Sequence, residues 1–178
     1  NIKKILVSNI GHLGDVTIST AAIKNLKNKY PNSKISFLCN SSSKDILKNH
    51  IYIEKIFVFD HWKLNRKNIS FFKKLKQSFL SKRKIIKKIK KEDFDACVDL
   101  RFNFPNSIHL LYKTKIKRRI GFLNGGFENY LTHVQRIDNF DEYIGKIYVA
   151  CVDKFFKFKS FDDLELFFGK NEVKKENN

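Results

Sequence analysis

The chain has 178 residues, of which 42% are hydrophobic and 14% aromatic. That apolar content excludes a disordered polar chain, because enough surface can be buried to offset chain entropy, and the length fits one domain. Lys and Arg number 36 against 18 Asp and Glu, a net charge of +18, and no apolar run reaches the roughly 18 residues of a membrane-spanning helix.

The chain opens on Ile2–Val7, a short apolar run with β-branched residues that predicts a strand. It lacks a signal-peptide core, which predicts a cytoplasmic protein. Gly11 and Gly14 then mark a loop, and Asp15–Tyr30 reads as a helix with Val16, Ala22, Ile23 and Leu26 on one face. Pro31-Asn32 ends it. Ile35–Cys39 is a second buried strand, Ser41–Asn49 a short helix with Ser as candidate cap, and Ile53–Phe59 a third strand.

From Lys63 to Lys91 the sequence holds thirteen Lys or Arg and no acid. Phe72, Leu75, Phe79, Ile86 and Ile89 recur there at helical steps, giving an apolar stripe and a basic opposite face. Two readings stand side by side: a solvated helix face packed on a sheet, or a helix lying near an anionic membrane surface. Nucleic-acid binding is a third, weakened by the lack of any zinc-finger, RNA-recognition or helix-turn-helix signature. Part of the charge is background, since Lys, Asn, Ile and Phe are abundant together, as AT-rich coding produces.

Phe94–Leu100 follows as a fourth strand, Ser107–Tyr112 as a short helix and Arg119–Phe122 as a fifth strand. Gly125-Gly126 opens a loop, Phe140–Phe156 reads as helical, and Gly169–Asn178 as a polar linker or tail. Residues 1–168 are therefore expected to form one domain. Strands alternating with helices predict a doubly wound, Rossmann-like parallel sheet, whose ligands bind beyond the carboxyl ends of the strands. Cys39, Cys97 and Cys151 are odd in number and lie in apolar stretches, so they read as reduced core thiols. The histidines show no metal-ligand spacing, so no metal is expected.

The loop after the first strand reads Ser8-Asn9-Ile10-Gly11-His12-Leu13-Gly14-Asp15-Val16. It is not a G-x-G-x-x-G dinucleotide fingerprint. The two glycines permit a tight turn and close backbone approach. Asp15 falls at a helix start, where a carboxylate is favoured as a plain cap.

The series Lys4-Ile5-Leu6-Val7, Gly11-x-x-Gly14-Asp15-Val16 and Thr20-Ala21-Ala22 resembles the opening of glycosyltransferase family nine, the ADP-heptose:lipopolysaccharide heptosyltransferases and their relatives. The resemblance continues through Tyr30-Pro31-Asn32-Ser33-Lys34-Ile35, Phe94-Asp95-Ala96-Cys97-Val98-Asp99-Leu100-Arg101, Arg118-Arg119-Ile120-Gly121-Phe122, Gly125-Gly126 and Leu131-Thr132-His133. It implies the amino-terminal half of a GT-B fold, the half that holds the acceptor, in a metal-free inverting enzyme. It places the general base at Asp15, with positioning mattering more than basicity. It implies an anionic, lipid-linked saccharide as acceptor, contacted by Gly11, His12, Gly14, Lys63, Arg66, Lys67 and Arg118-Arg119, with Arg119 the strongest of the basic candidates. His12 reads equally well as a solvent-exposed loop histidine, and Lys63–Lys67 as a solvated loop. The donor would be a nucleotide sugar, ADP-heptose above all, bound mainly by a second domain, with no other cofactor.

The sequence departs from the family at Ala21, where many relatives have Pro, and at Asp141-Glu142-Tyr143, which lacks a histidine. The length matches half of such an enzyme, and the lack of Met even at position one predicts a segment of a longer product or a truncated reading frame. The chain alone is expected to be inactive, with peripheral contact to the cytoplasmic membrane face through the basic helix. The alternative is a stand-alone basic Rossmann-like module that binds nucleic acid or acidic lipid without catalysis.

Overall fold

The computed structural model describes residues 2–66, 68–123 and 126–156. Lys67, Gly125, the domain limit at 168 and the tail at 169–178 lie outside the described residues.

Six strands form one all-parallel sheet: β1 (Lys4–Ser8), β2 (Lys34–Cys39), β3 (Ile53–Val58), β4 (Ala96–Asp99), β5 (Arg118–Phe122) and β6 (His133–Gln135). Their order is β3-β2-β1-β4-β5-β6. This is the doubly wound arrangement expected from alternating strands and helices. The chain runs outward from β1 to one edge, returns to the centre, and runs to the other edge. The loops after β1 and β4 therefore diverge above adjacent strands and leave a crevice between them.

Both faces of the sheet are covered, which explains why the inner strands read as continuous apolar runs. Successive side chains point to opposite faces. Ile5 and Val7 join Ala22, Ile23, Leu26, Tyr148 and Val152 on one side, while Leu6 and Cys97 join Ile85, Ile89, Leu110 and Leu111 on the other. The first group brings in helices α2 (Thr20–Lys29) and α6 (Ile144–Phe156), and the second brings in α4 (Phe71–Lys90) and α5 (Ile108–Thr114). Full burial of one such aliphatic side chain stabilises by about 1.5–3 kcal/mol. The three cysteines are buried, and burial raises the Cys39 thiol to about 12, with Asp60 adding to it. Thiols held neutral in this way are unreactive.

Several expected elements are revised. The single helix expected over 15–30 is two, α1 (Leu13–Ile18) and α2, meeting at Ser19. The Ser19 hydroxyl donates to the Asp15 carbonyl at 2.8 Å, and the Asn9 amide reaches that carbonyl and the hydroxyl. Such local bonds compete with the helical ladder. The expected helix at 41–49 is a 3-10 turn, Ser41–Ser43, followed by the single turn α3 (Lys44–Leu47). Its cap is Asn40, whose side chain accepts from the Ser43 N–H at 2.9 Å, not Ser41. α6 begins at Ile144, four residues later than Phe140, and β6 is an additional strand.

The basic helix divides in two. In its second half Ile89 packs on the sheet as expected, Ile85 joins it there although the sequence reading did not name it, and Ile86 is only partly buried against the same cluster. In its first half Phe72 is 81% exposed and Phe79 56% exposed, so the expected stripe does not continue.

Candidate active site at the mouth of the sheet

Asp15 lies at the third position of α1, and His12, not Asp15, is the N-cap residue. One carboxylate oxygen, Oδ2, accepts from the His12 backbone N–H at 2.9 Å, closing the first turn. The same oxygen accepts from Arg101 Nη1 at 2.9 Å. The Asp15 side chain remains 30% exposed, whereas that of Arg101 is 13% exposed. Asp15 thus stands in the loop after β1, Arg101 stands after β4, and the pair spans the crevice at the point where the strand order reverses.

Gly11 is needed for this contact. A Cβ there would collide with Arg101 Nη1 and Asp15 Oδ2. Its N–H donates to the Asn9 side chain at 3.0 Å, and its carbonyl accepts from Asn40. Asn9 also reaches the Tyr148 hydroxyl at 3.3 Å, which ties the loop to α6. Gly14 is different: a Cβ there would meet nothing within 4 Å, so close approach within the chain does not require it.

Arg101 is oriented from behind. Its Nε donates to the Pro105 carbonyl at 2.7 Å. Asp99, at the end of β4, accepts from the Arg101 N–H at 3.2 Å and from the Ser107 N–H at 2.7 Å and hydroxyl at 2.9 Å. One carboxylate therefore holds both ends of the loop that carries Arg101. Ser8, at the end of β1, bonds to the Ser107 hydroxyl. Burial raises Asp99 to about 6, an effect these donors and Arg101 oppose.

Beside this pair lies a cavity of about 510 Å3. His12, Leu13, Asn40, Ser41, Asp60, Leu64, Asn65 and Arg66 line it. They come from the loops after β1, β2 and β3, so the cavity opens at the carboxyl end of the sheet. His12 and Arg66 are therefore both brought to the mouth, with His12 in contact with Asp15. Lys63 instead lies over the rings of Phe104 at 4.6 Å and Trp62 at 5.5 Å.

Arg118 and Arg119 do not join the group. β5 begins at Arg118, and Arg119 lies level with Cys97 in the body of the sheet, below the mouth. The Arg119 Nε donates to the Tyr130 carbonyl at 2.6 Å, its Nη1 donates to the Ile116 carbonyl, and its guanidinium stacks on Tyr112. The expectation that Arg119 reaches the cleft rested on β5 ending there, but the residue that ends β5 is Phe122. Arg118 lines a separate cavity of about 360 Å3 with Lys115 and Asp95. Sequence reasoning gave no role to Arg101, Asp99 or Asn40; the available signal was a polar residue at the carboxyl end of an apolar strand. No group of three metal-ligating side chains occurs among the described residues.

An all-parallel, doubly wound sheet with helices on both faces defines a Rossmann-like domain, and the Asp15–Arg101 pair stands at its switch point. No protein-family model and no curated protein matches the sequence. Solved structures do. A glycosyl transferase family 9 structure from Veillonella parvula matches with a TM-score of 0.79 and 18% identity, over 97% of this chain and 47% of that one. E. coli heptosyltransferase WaaC with ADP-2-deoxy-2-fluoro heptose matches at 0.72 and 11% identity, over 90% of this chain and 50% of that one. E. coli ADP-heptose lps heptosyltransferase II matches at 0.70 and 15% identity, over 97% and 49%. The chain has the Rossmann-like fold found in these GT-B glycosyltransferases and spans about half their length.

Proposed function

We propose that the chain is the acceptor-side half of an inverting glycosyltransferase, in which Asp15 is the general base. The observation that supports this is the partly open Asp15 carboxylate in the crevice between the β1 and β4 loops, held by His12 N–H and Arg101. An acceptor saccharide would lie in the cavity lined by His12 and Arg66. Its hydroxyl oxygen attacks the anomeric carbon of a nucleotide sugar, the bond from that carbon to the diphosphate breaks, and the hydroxyl proton passes to Asp15. The fixed carboxylate contributes mainly by orientation, since the backbone donor and the guanidinium set its position before the acceptor arrives.

Arg101 and Arg66 suit an anionic acceptor, because a planar guanidinium binds carboxylate or phosphate in a bidentate way. The donor is read as a heptose nucleotide, held mainly by a second Rossmann-like half. This chain alone should therefore give no transfer from ADP-heptose to a lipid-linked inner-core saccharide.

Two experiments test the reading. An anionic inner-core saccharide titrated into the isotope-labelled chain should shift the amides of Gly11, His12, Asp15 and Arg101; shifts confined to other regions would remove the mouth as the acceptor site. In the enzyme that carries this domain with its donor half, Asp15→Asn should lower kcat by about 10²–10⁴ while the melting temperature stays close to that of wild type. Near-normal turnover would return Asp15 to a capping role.

A further inference from the structure

The rings near the mouth continue beyond it. Phe104, in the loop that carries Arg101, meets His61 at 5.7 Å between ring centroids. His61 stacks on Trp62 at 5.7 Å, Trp62 meets Phe71 at 5.4 Å, and Phe71 meets Phe72 at 5.9 Å. Burial pushes His61 down to about 4, with Lys82 and Lys63 contributing, so its ring is neutral near pH 7. An aromatic path thus runs from the rim of the crevice onto the first turn of α4.

Along α4, Phe72, Lys76, Phe79 and Arg83 follow at steps of four, three and four, which places them on one helix face. The core uses a different face, that of Ser78, Ile85 and Ile89. Phe72, Phe79 and neighbouring Leu80 are all exposed, and the Arg83 guanidinium lies 4.5 Å from the Phe79 ring centre. No acid occurs between residues 63 and 91. The fold therefore leaves large apolar side chains in water among cations, a combination that marks an interaction surface.

We infer that this face of α4 docks onto an anionic lipid bilayer, with Phe72, Phe79 and Leu80 entering the boundary between headgroups and acyl chains. Lys76 and Arg83 lie on the same face, where they meet lipid phosphates. Charge complementarity selects an anionic surface. The apolar residues select lipid over a single nucleic-acid strand: Leu80 has no ring on which a base could stack, and the face is the convex side of one helix, not a groove that tracks a backbone. The inference rests on this exposed face and not on the sugar-transfer reading.

Vesicle co-sedimentation of the full chain tests it, with phosphatidylcholine vesicles compared with vesicles containing phosphatidylglycerol. Trp62 is the single tryptophan and touches Phe71, so its emission reports docking directly. The expected result is salt-sensitive binding to the anionic vesicles with a blue shift of Trp62. Phe72→Ala with Phe79→Ala should weaken that binding about tenfold and reduce the shift, although charge is unchanged. Equal binding by the double variant, an unshifted Trp62, or equal binding to neutral vesicles would each overturn the inference. So would a single-stranded RNA that competes with the vesicles and depends on the same two phenylalanines. Asp15→Asn lies outside this face and should bind vesicles as wild type does, which separates a failure here from a failure of the proposed chemistry.

Discussion

Asp15 and Arg101 are separated by 86 residues in the chain and by 2.9 Å in the fold. Asp15 could be singled out in advance only because its loop opens an ordered series of motifs that resembles a known family; the local motif alone reads as a cap. No spacing rule links it to Arg101, so the partner emerges only when β4 is placed beside β1. The opposite happened at Arg119, where a basic residue near a strand suggested the cleft but its guanidinium is spent on backbone carbonyls. Gly11 provides a direct check on the contact. Gly11→Ala should force Arg101 and Asp15 apart and lower the unfolding free energy by about 1–3 kcal/mol, measured by denaturant titration. Asp99 provides a second check, through pH. Its ordinary value of 3.8 rises to about 6 in the fold, so the folded chain binds this proton more tightly than the unfolded chain. The stability it contributes is present below about pH 4 and is lost as pH rises to about 6. Relative to Asp99→Asn, wild type should therefore lose up to about 3 kcal/mol across that window in unfolding titrations. A relative gain would show that donors, and not burial, dominate at Asp99.

At the level of elements, strands β1, β2 and β4 were legible because burial on both faces demands unbroken apolar runs. β6 was not, since it has three residues, two of them exposed. Helix boundaries failed where side chains intervene, at Ser19 and at Asn40. α4 shows the limit of periodicity itself. Its phenylalanines and isoleucines share a helical spacing, yet Ile85 and Ile89 are buried while Phe71, Phe72 and Phe79 are exposed. Ile89→Ala should therefore cost about 2–4 kcal/mol of stability, whereas Phe72→Ala should change it by no more than about 0.5 kcal/mol. Comparable losses from both substitutions, measured by thermal unfolding, would place Phe72 in the core.

At the scale of the molecule, alternating elements and right-handed crossovers foretold the layered sheet, and the order of its six strands adds what the sequence did not state: the crevice lies between β1 and β4. Protection should follow that order. Amide exchange should be slowest in β1 and β4, which have neighbours on both sides and fully buried residues, and fastest in β6 at the edge. Equal protection of β6 and β1 would contradict this arrangement.

The ion pair at the mouth also has a mechanical side. The loop bearing Asp15 belongs to one wing of the sheet and the loop bearing Arg101 to the other, and their contact fastens the two lips together. Any movement that slides one wing against the other must first undo this clasp.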